Sequence, residues 1–231
     1  MSKPDFSARR EWMVRHLVEA QGIDDRHVVD ALLAVAREDF LPEALWESAY
    51  ENEPLDIAEG RPMAQPDVVA RMIAAMRLEG GERVLEIGTG SGYTAALLSR
   101  IAANVYTVEP IAQFAEKAAS ALSENGFGNA HVLHGEGNRG WHDHAPYDAI
   151  LVTEARPAVP KALLAQLKIG GRLVAPVGID AGAIMLIRMT RIAPDEYDRE
   201  DIAPVRVPLI PDFGEFDPNA VHMRAPRPPE R

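Results

Sequence analysis

Between Ser7 and Gln21 apolar side chains recur at Trp12, Val14, Leu17 and Val18, near the spacing of one helix face, and Gly22 offers a stop. Asp24 precedes a second run, Val28, Val29, Leu32, Leu33 and Val35, that predicts another helix. Residues 40–50 predict a shorter one opened near Pro42, and Trp12 and Trp46 read as helix-face core residues. Over 51–66 the periodicity dissolves among Pro54, Gly60, Pro62 and Pro66, which predicts a long irregular loop of the kind that often carries function.

From Asp67 the pattern changes. Asp67 reads as the cap of a helix running to Arg77, and Gly80 and Gly81 as a turn. Short apolar strands at 83–87, 104–108, 129–133, 147–152 and 172–177 alternate with helical stretches at 92–101, 111–124 and 160–167. Residues 183–189 and 205–209 predict two late strands. This alternation predicts an α/β fold, a doubly wound and mostly parallel Rossmann-like sheet covered on both faces. The implied organisation is a helical N-terminal section with its loop (1–66), a sheet domain (67–210) and an extended, proline-rich tail (211–231).

Charge and composition narrow the function classes. The 231 residues carry a net charge of −11, which argues against non-specific nucleic-acid binding, because phosphate attraction needs a basic face. There is no cysteine, so disulfides, thiolate nucleophiles and thiolate metal sites drop out. No run of about 18 apolar residues predicts a membrane span, and residues 1–10 do not read as a secretory leader. The expectation is a cytoplasmic protein, monomer or homodimer, without nucleic-acid or membrane partners.

The sharpest chemical signal is Val84-Leu85-Glu86-Ile87-Gly88-Thr89-Gly90-Ser91-Gly92, a strand running through three alternating glycines into a helix. Glycines let the main chain turn tightly and let a ligand lie against it, and the helix start adds free N–H groups. A dinucleotide fingerprint needs its third glycine one place later, where Tyr93 stands. The G-x-G-x-G form suits S-adenosylmethionine, with its amino-acid end over the loop. Glu109, ending the second strand, is placed to accept hydrogen bonds from ribose hydroxyls, and Glu136 and Gly137 after the third strand to meet the adenine. Packing alone and a dinucleotide are the other readings of the glycines. Ser91 stands in the wrong register for a G-x-S-x-G nucleophile elbow. His131, His134, His142 and His144 with Asp143 match no metal-ligand spacing and read as a solvated loop.

With these residues in view, the chain resembles the protein-L-isoaspartate (D-aspartate) O-methyltransferases over roughly 22–178. The likeness is carried by Gly22-Ile23-Asp24-Asp25-Arg26-His27-Val28, by Phe40-Leu41-Pro42-Glu43, by Gln65-Pro66 and by the loop from Val84 to Tyr93. Gly135-Glu136-Gly137, Gly140-Trp141, Tyr147-Asp148-Ala149-Ile150 and the stretch from Gln166 to Gly178 add to it. The resemblance implies a class I S-adenosylmethionine-dependent methyltransferase that esterifies the misplaced carboxylate of isoaspartate in damaged peptides and proteins. It implies cofactor contacts at Glu86, Ile87, Gly88, Thr89, Gly90, Ser91, Gly92, Tyr93, Glu109, Pro110, Glu136 and Gly137, and an acceptor facing Ala64, Gln65, Thr153, Glu154 and Arg156.

The departures fall near the expected chemistry. The family's loop serine is Ala64 here, a threonine position is Pro62, and Glu154 and Arg156 stand where small residues are usual. Alanine cannot donate a hydrogen bond, so no residue is assigned as catalytic. Arg156 or Arg61 could hold the acceptor carboxylate instead, or Glu154 and Arg156 could simply pair at the surface. A different carboxylate acceptor, or cofactor binding with little isoaspartyl turnover, are the alternative functions.

Overall fold

The computed structural model describes residues 3–58, 61–178 and 184–207. Helix α1 (Ser7–Gln21) and α2 (Arg26–Ala34) form as the apolar spacing predicts. Asp25 caps α2, accepting from the N–H groups of His27 and Val28. The expected helix at 40–50 is instead two 3₁₀ segments, Arg37–Phe40 and Glu43–Ser48. Trp12 is a correction: it is 58% exposed, stacks on His16 and lines an open cavity of about 260 Å³ with Leu17 and Tyr50.

The loop expected at 51–66 holds an antiparallel pair, β1 (Leu55–Ala58) and β2 (Arg61–Met63), bulged after Asp56. It leads into α3 (Pro66–Ala75), with Pro66 at the first helical position and Gln65 as the cap residue. Asp67, expected to cap, sits inside the first turn, and its N–H donates to Asn52 Oδ1 at 3.1 Å. Two arginines from the sheet hold the far end of α3. Arg188 donates to Ala75 O at 2.9 Å, and Arg172 donates to Met76 O at 2.6 Å and Arg77 O at 3.0 Å. Cations there satisfy the last carbonyls and complement the helix dipole.

The remaining elements are β3 (Arg83–Ile87), α4 (Tyr93–Ile101), β4 (Asn104–Glu109), α5 (Ala112–Glu124), β5 (Ala130–His134), β6 (Tyr147–Val152), α6 (Lys161–Ala165), β7 (Leu167–Val177), β8 (Met185–Ala193) and β9 (Glu196–Pro204). Their order in the sheet is β5-β4-β3-β6-β7-β8-β9, parallel from β5 to β7 and antiparallel beyond. One strand expectation is corrected. Residues 205–207 form no strand, and residues 208 and 209 lie outside the described residues, as does the tail. The last strand, β9, comes earlier, from the charged stretch Glu196–Pro204.

The strands show why both faces need cover. Val84, Val105, Ala149 and Val174 pack into one buried cluster with α1 to α4, whereas Leu85, Val108, Ile150 and Leu173 pack into the other with Leu163 and Leu164 of α6. The period of two along each strand sends alternate side chains to opposite cores. The chain leaves β3 outward through β4 to β5, then returns to β3's other side at β6. This reversal is a topological switch point, where the loops after the strands part to leave a crevice. No helix among the described residues is long and apolar enough to cross a membrane.

Candidate functional site

The loop after β3 bends at Gly88, whose φ is +95°, and its N–H donates to Val108 O at 2.9 Å. A Cβ on Gly88 would fall inside the radius of Thr153 Oγ1, so no side chain fits there. Gly90 differs: a Cβ there would meet nothing within 4 Å, so the loop opens to space at that point. The Gly90 N–H donates to Glu109 Oε2 at 2.9 Å, and Ile111 N–H donates to Glu109 Oε1 at 3.1 Å. A carboxylate oxygen can accept twice, so Glu109 holds the loop with lone pairs to spare. Gly92 starts α4 but turns away from the crevice, since a Cβ would lie 3.3 Å from Ala118 Cβ of α5.

Beneath the loop runs a buried polar ladder. Thr89 and Thr107 hydroxyls lie 2.6 Å apart, and Thr107 donates to Glu86 Oε2 at 2.6 Å. Glu86 is 0% exposed, and its Oε1 has no partner among the described residues. Burial pushes its carboxyl up to about 8; the Thr107 hydrogen bond opposes that and the Glu109 charge adds to it. Folded Glu86 therefore keeps its proton where the unfolded side chain has lost its own. Stability is fully present below the unfolded value near 4.5 and drains away as pH rises through about 8. Thermal unfolding should show a slope of up to about 1.4 kcal/mol per pH unit across that window. Glu86→Gln should flatten it; an unchanged slope would assign the effect to another group.

The opposite wall follows β6. Thr153 Oγ1 contacts both Ile87 O and Gly88 O at 3.0 Å, bracing the glycine turn from behind. Arg156, which could have paired with Glu154 at the surface, is only 4% exposed. It donates to Asn138 Oδ1 and feels the Glu154 charge, while desolvation lowers its pKa. The guanidinium thus packs under the loop after β5, where Gly137 is pressed so closely that a Cβ would lie 2.7 Å from Ile87 Cγ2. Glu136 points outward and pairs with Arg139 at 2.8 Å. Pro110 O lies 3.2 Å from His134 Nε2, tying the loop after β4 to the end of β5. Trp141 sits edge-on to Tyr106, with His144 stacked on the same ring.

Ala64 and Gln65 lie at the junction of β2 and α3. Both are half-buried between β2 and α3. Their support was not foreseen from sequence. Arg37 Nη2 donates to Ala64 O at 2.9 Å, Arg37 Nε lies 3.1 Å from Met63 Sδ, and the guanidinium sits over the Tyr93 ring. Nothing in Ala36-Arg37-Glu38-Asp39-Phe40 distinguishes this buried cation from a solvated one. The Arg61 side chain lies outside the described residues. The structure therefore gathers the ends of β3, β4 and β5 and the Thr153 wall at the switch point, with Gly92 and Tyr93 serving packing on the inner side, and Arg37 links the Ala64 segment to Tyr93.

The chain matches the family model described as Protein-L-isoaspartate(D-aspartate) O-methyltransferase over residues 8–211. It is 50% identical over 224 residues to protein-L-isoaspartate O-methyltransferase 1 of Rhodopseudomonas palustris (strain HaA2), covering 96% of this chain and 91% of that relative. It is 50% identical over 207 residues to the protein of the same description from Geotalea uraniireducens (strain Rf4), covering 89% and 94%. A solved protein-L-isoaspartate O-methyltransferase superposes with a TM-score of 0.79 at 28% identity, covering 88% of this chain; this chain spans 66% of that one.

Proposed function

This chain belongs to the protein-L-isoaspartate(D-aspartate) O-methyltransferase family, and on that premise we propose that it methylates the free carboxylate of isoaspartyl residues in peptides and proteins of the cytoplasm, using S-adenosylmethionine. The observation that carries the reading is the Glu109 carboxylate bonded to the Gly90 N–H at the switch point of the sheet.

The residues present fit that cofactor. Gly90 leaves the main chain open to a ligand, and Glu109 keeps lone pairs for ribose hydroxyls. Glu86, Ile87, Gly88, Thr89 and Ser91 would shape the cradle around the amino-acid end, with Gly92 and Tyr93 packed behind it. Pro110, Glu136 and Gly137 would border the base. When bound, the cofactor supplies a methyl group on a positively charged sulfur.

The protein's part is arrangement. A carboxylate is ionised at neutral pH, so its oxygen needs no general base. Ala64 and Gln65 would border the acceptor, and the half-buried Thr153 wall would hold the glycine turn in place. Glu154 lies on the same side, with Arg156 anchoring the loop after β5 behind it. Such positioning, with water kept out, is the main source of rate for a reaction that moves no proton.

The test is methyl-ester formation, followed as released methanol, on an isoaspartyl peptide and its normal-aspartyl twin. We expect turnover of the first and background with the second. Equal rates on both, or none on either with S-adenosylhomocysteine still binding, would remove the isoaspartyl assignment.

A further inference from the structure

Arg37 is 0% exposed, yet no carboxylate among the described residues pairs with it. Its Nη1 is buried without any partner. A buried guanidinium is ordinarily paired, and an apolar replacement of the same volume is often neutral or stabilising. The fold alone therefore gives no reason for a cation here. Its contacts fall on two segments that border the proposed site. One is the end of β2, through Met63 Sδ and Ala64 O; the other is Tyr93, the first residue of α4, whose ring centroid is 5.5 Å away. Tyr50 fixes the Arg37 backbone from behind, its hydroxyl accepting from the Arg37 N–H at 3.2 Å.

The contact with Ala64 has a geometric consequence. Across a trans peptide the carbonyl and the following N–H point in opposite directions. Because Ala64 O is drawn to Arg37, the Gln65 N–H is turned away from it, and it has no hydrogen-bond partner among the described residues. A cation on the carbonyl also polarises the peptide and strengthens that N–H as a donor.

We propose that Arg37 is a positioning residue: acting through the Ala64 carbonyl, it presents the Gln65 N–H to the acceptor carboxylate in place of the hydroxyl that Ala64 lacks. The role rests on the methyl-transfer reading above, and its test separates the two. Arg37→Met keeps much of the volume and removes the fork. On the isoaspartyl peptide its kcat/KM should fall about tenfold, mainly through KM, the scale of one lost bond to a charged group. The Kd for S-adenosylhomocysteine should stay within about twofold, because Arg37 meets only the buried Tyr93 ring behind the cradle and not Glu109 or the glycines. In the free protein, with no acceptor present, amide exchange over 61–67 should accelerate. Arg37→Lys keeps the charge but not the planar fork and should fall between the two; it carries the same comparison if the Met variant does not fold. A Met or Lys variant that keeps both the wild-type KM and the wild-type exchange over 61–67 overturns the proposal. An inactive wild type whose exchange still responds to Arg37→Met overturns the substrate assignment and leaves the positioning intact.

Discussion

Gly88→Ala should abolish measurable cofactor binding, weakening the affinity for S-adenosylhomocysteine more than about 100-fold, and should lower stability by about 2–5 kcal/mol. Two effects add. The φ of +95° is strained for any residue with a Cβ. The new methyl would also overlap Thr153 Oγ1, which cannot retreat without giving up its contacts to Ile87 O and Gly88 O. Relief must come from the loop, and the loop carries the Gly90 N–H that Glu109 holds. Gly90→Ala is the control. It too has a positive φ, at +52°, but its Cβ meets nothing within 4 Å. It should cost only about 1 kcal/mol of stability through the backbone. Calorimetric titration and thermal melts of both variants decide the matter. A Gly88→Ala protein that binds within threefold of wild type would mean the cradle lies elsewhere.

The contrast among these glycines shows what a sequence can and cannot display. The motif at 88–92 is visible because three glycines between a strand and a helix have few other uses. That Gly88 is closed by Thr153, Gly90 open, and Gly92 packed on Ala118 depends on neighbours between about 25 and 65 positions away. The central strands are legible for a related reason: β3 and β6 are buried on both faces and so read as nearly unbroken apolar runs. Strand β9 is not, because Glu196-Tyr197-Asp198-Arg199-Glu200-Asp201 looks like solvated loop. Its order comes from backbone pairing to β8, and charged side chains are what an edge strand uses to avoid further pairing. The β1–β2 pair escapes notice because it is short, bulged and contains Pro62. Trp12 was misplaced by a helical period that finds the face of α1 but not the point where cover ends. Arg37 left no signal at all. A buried arginine and a solvated one have the same letter, and its partners Tyr50, Met63, Ala64 and Tyr93 come from three separate segments.

Ala64→Ser should raise kcat/KM on the isoaspartyl peptide by about 10- to 100-fold, the worth of one restored hydrogen bond to a charged acceptor, about 1.5–3 kcal/mol. The site tolerates the change. Ala64 is half-buried, its carbonyl is already held by Arg37, and a hydroxyl adds little volume at the mouth of the loop. The size of the gain also measures what the Gln65 N–H is doing. If that N–H already holds one carboxylate oxygen, the new hydroxyl adds a second donor, and the gain sits at the low end of the range. If Arg37→Met has loosened the peptide, the hydroxyl becomes the main donor and the gain rises. The double variant should then be less impaired than the two single effects predict, as expected for residues acting on one ligand. Additive effects would place Arg37 and Ala64 on separate tasks. No gain from Ala64→Ser in an active enzyme would mean that the 64–65 segment does not border the acceptor.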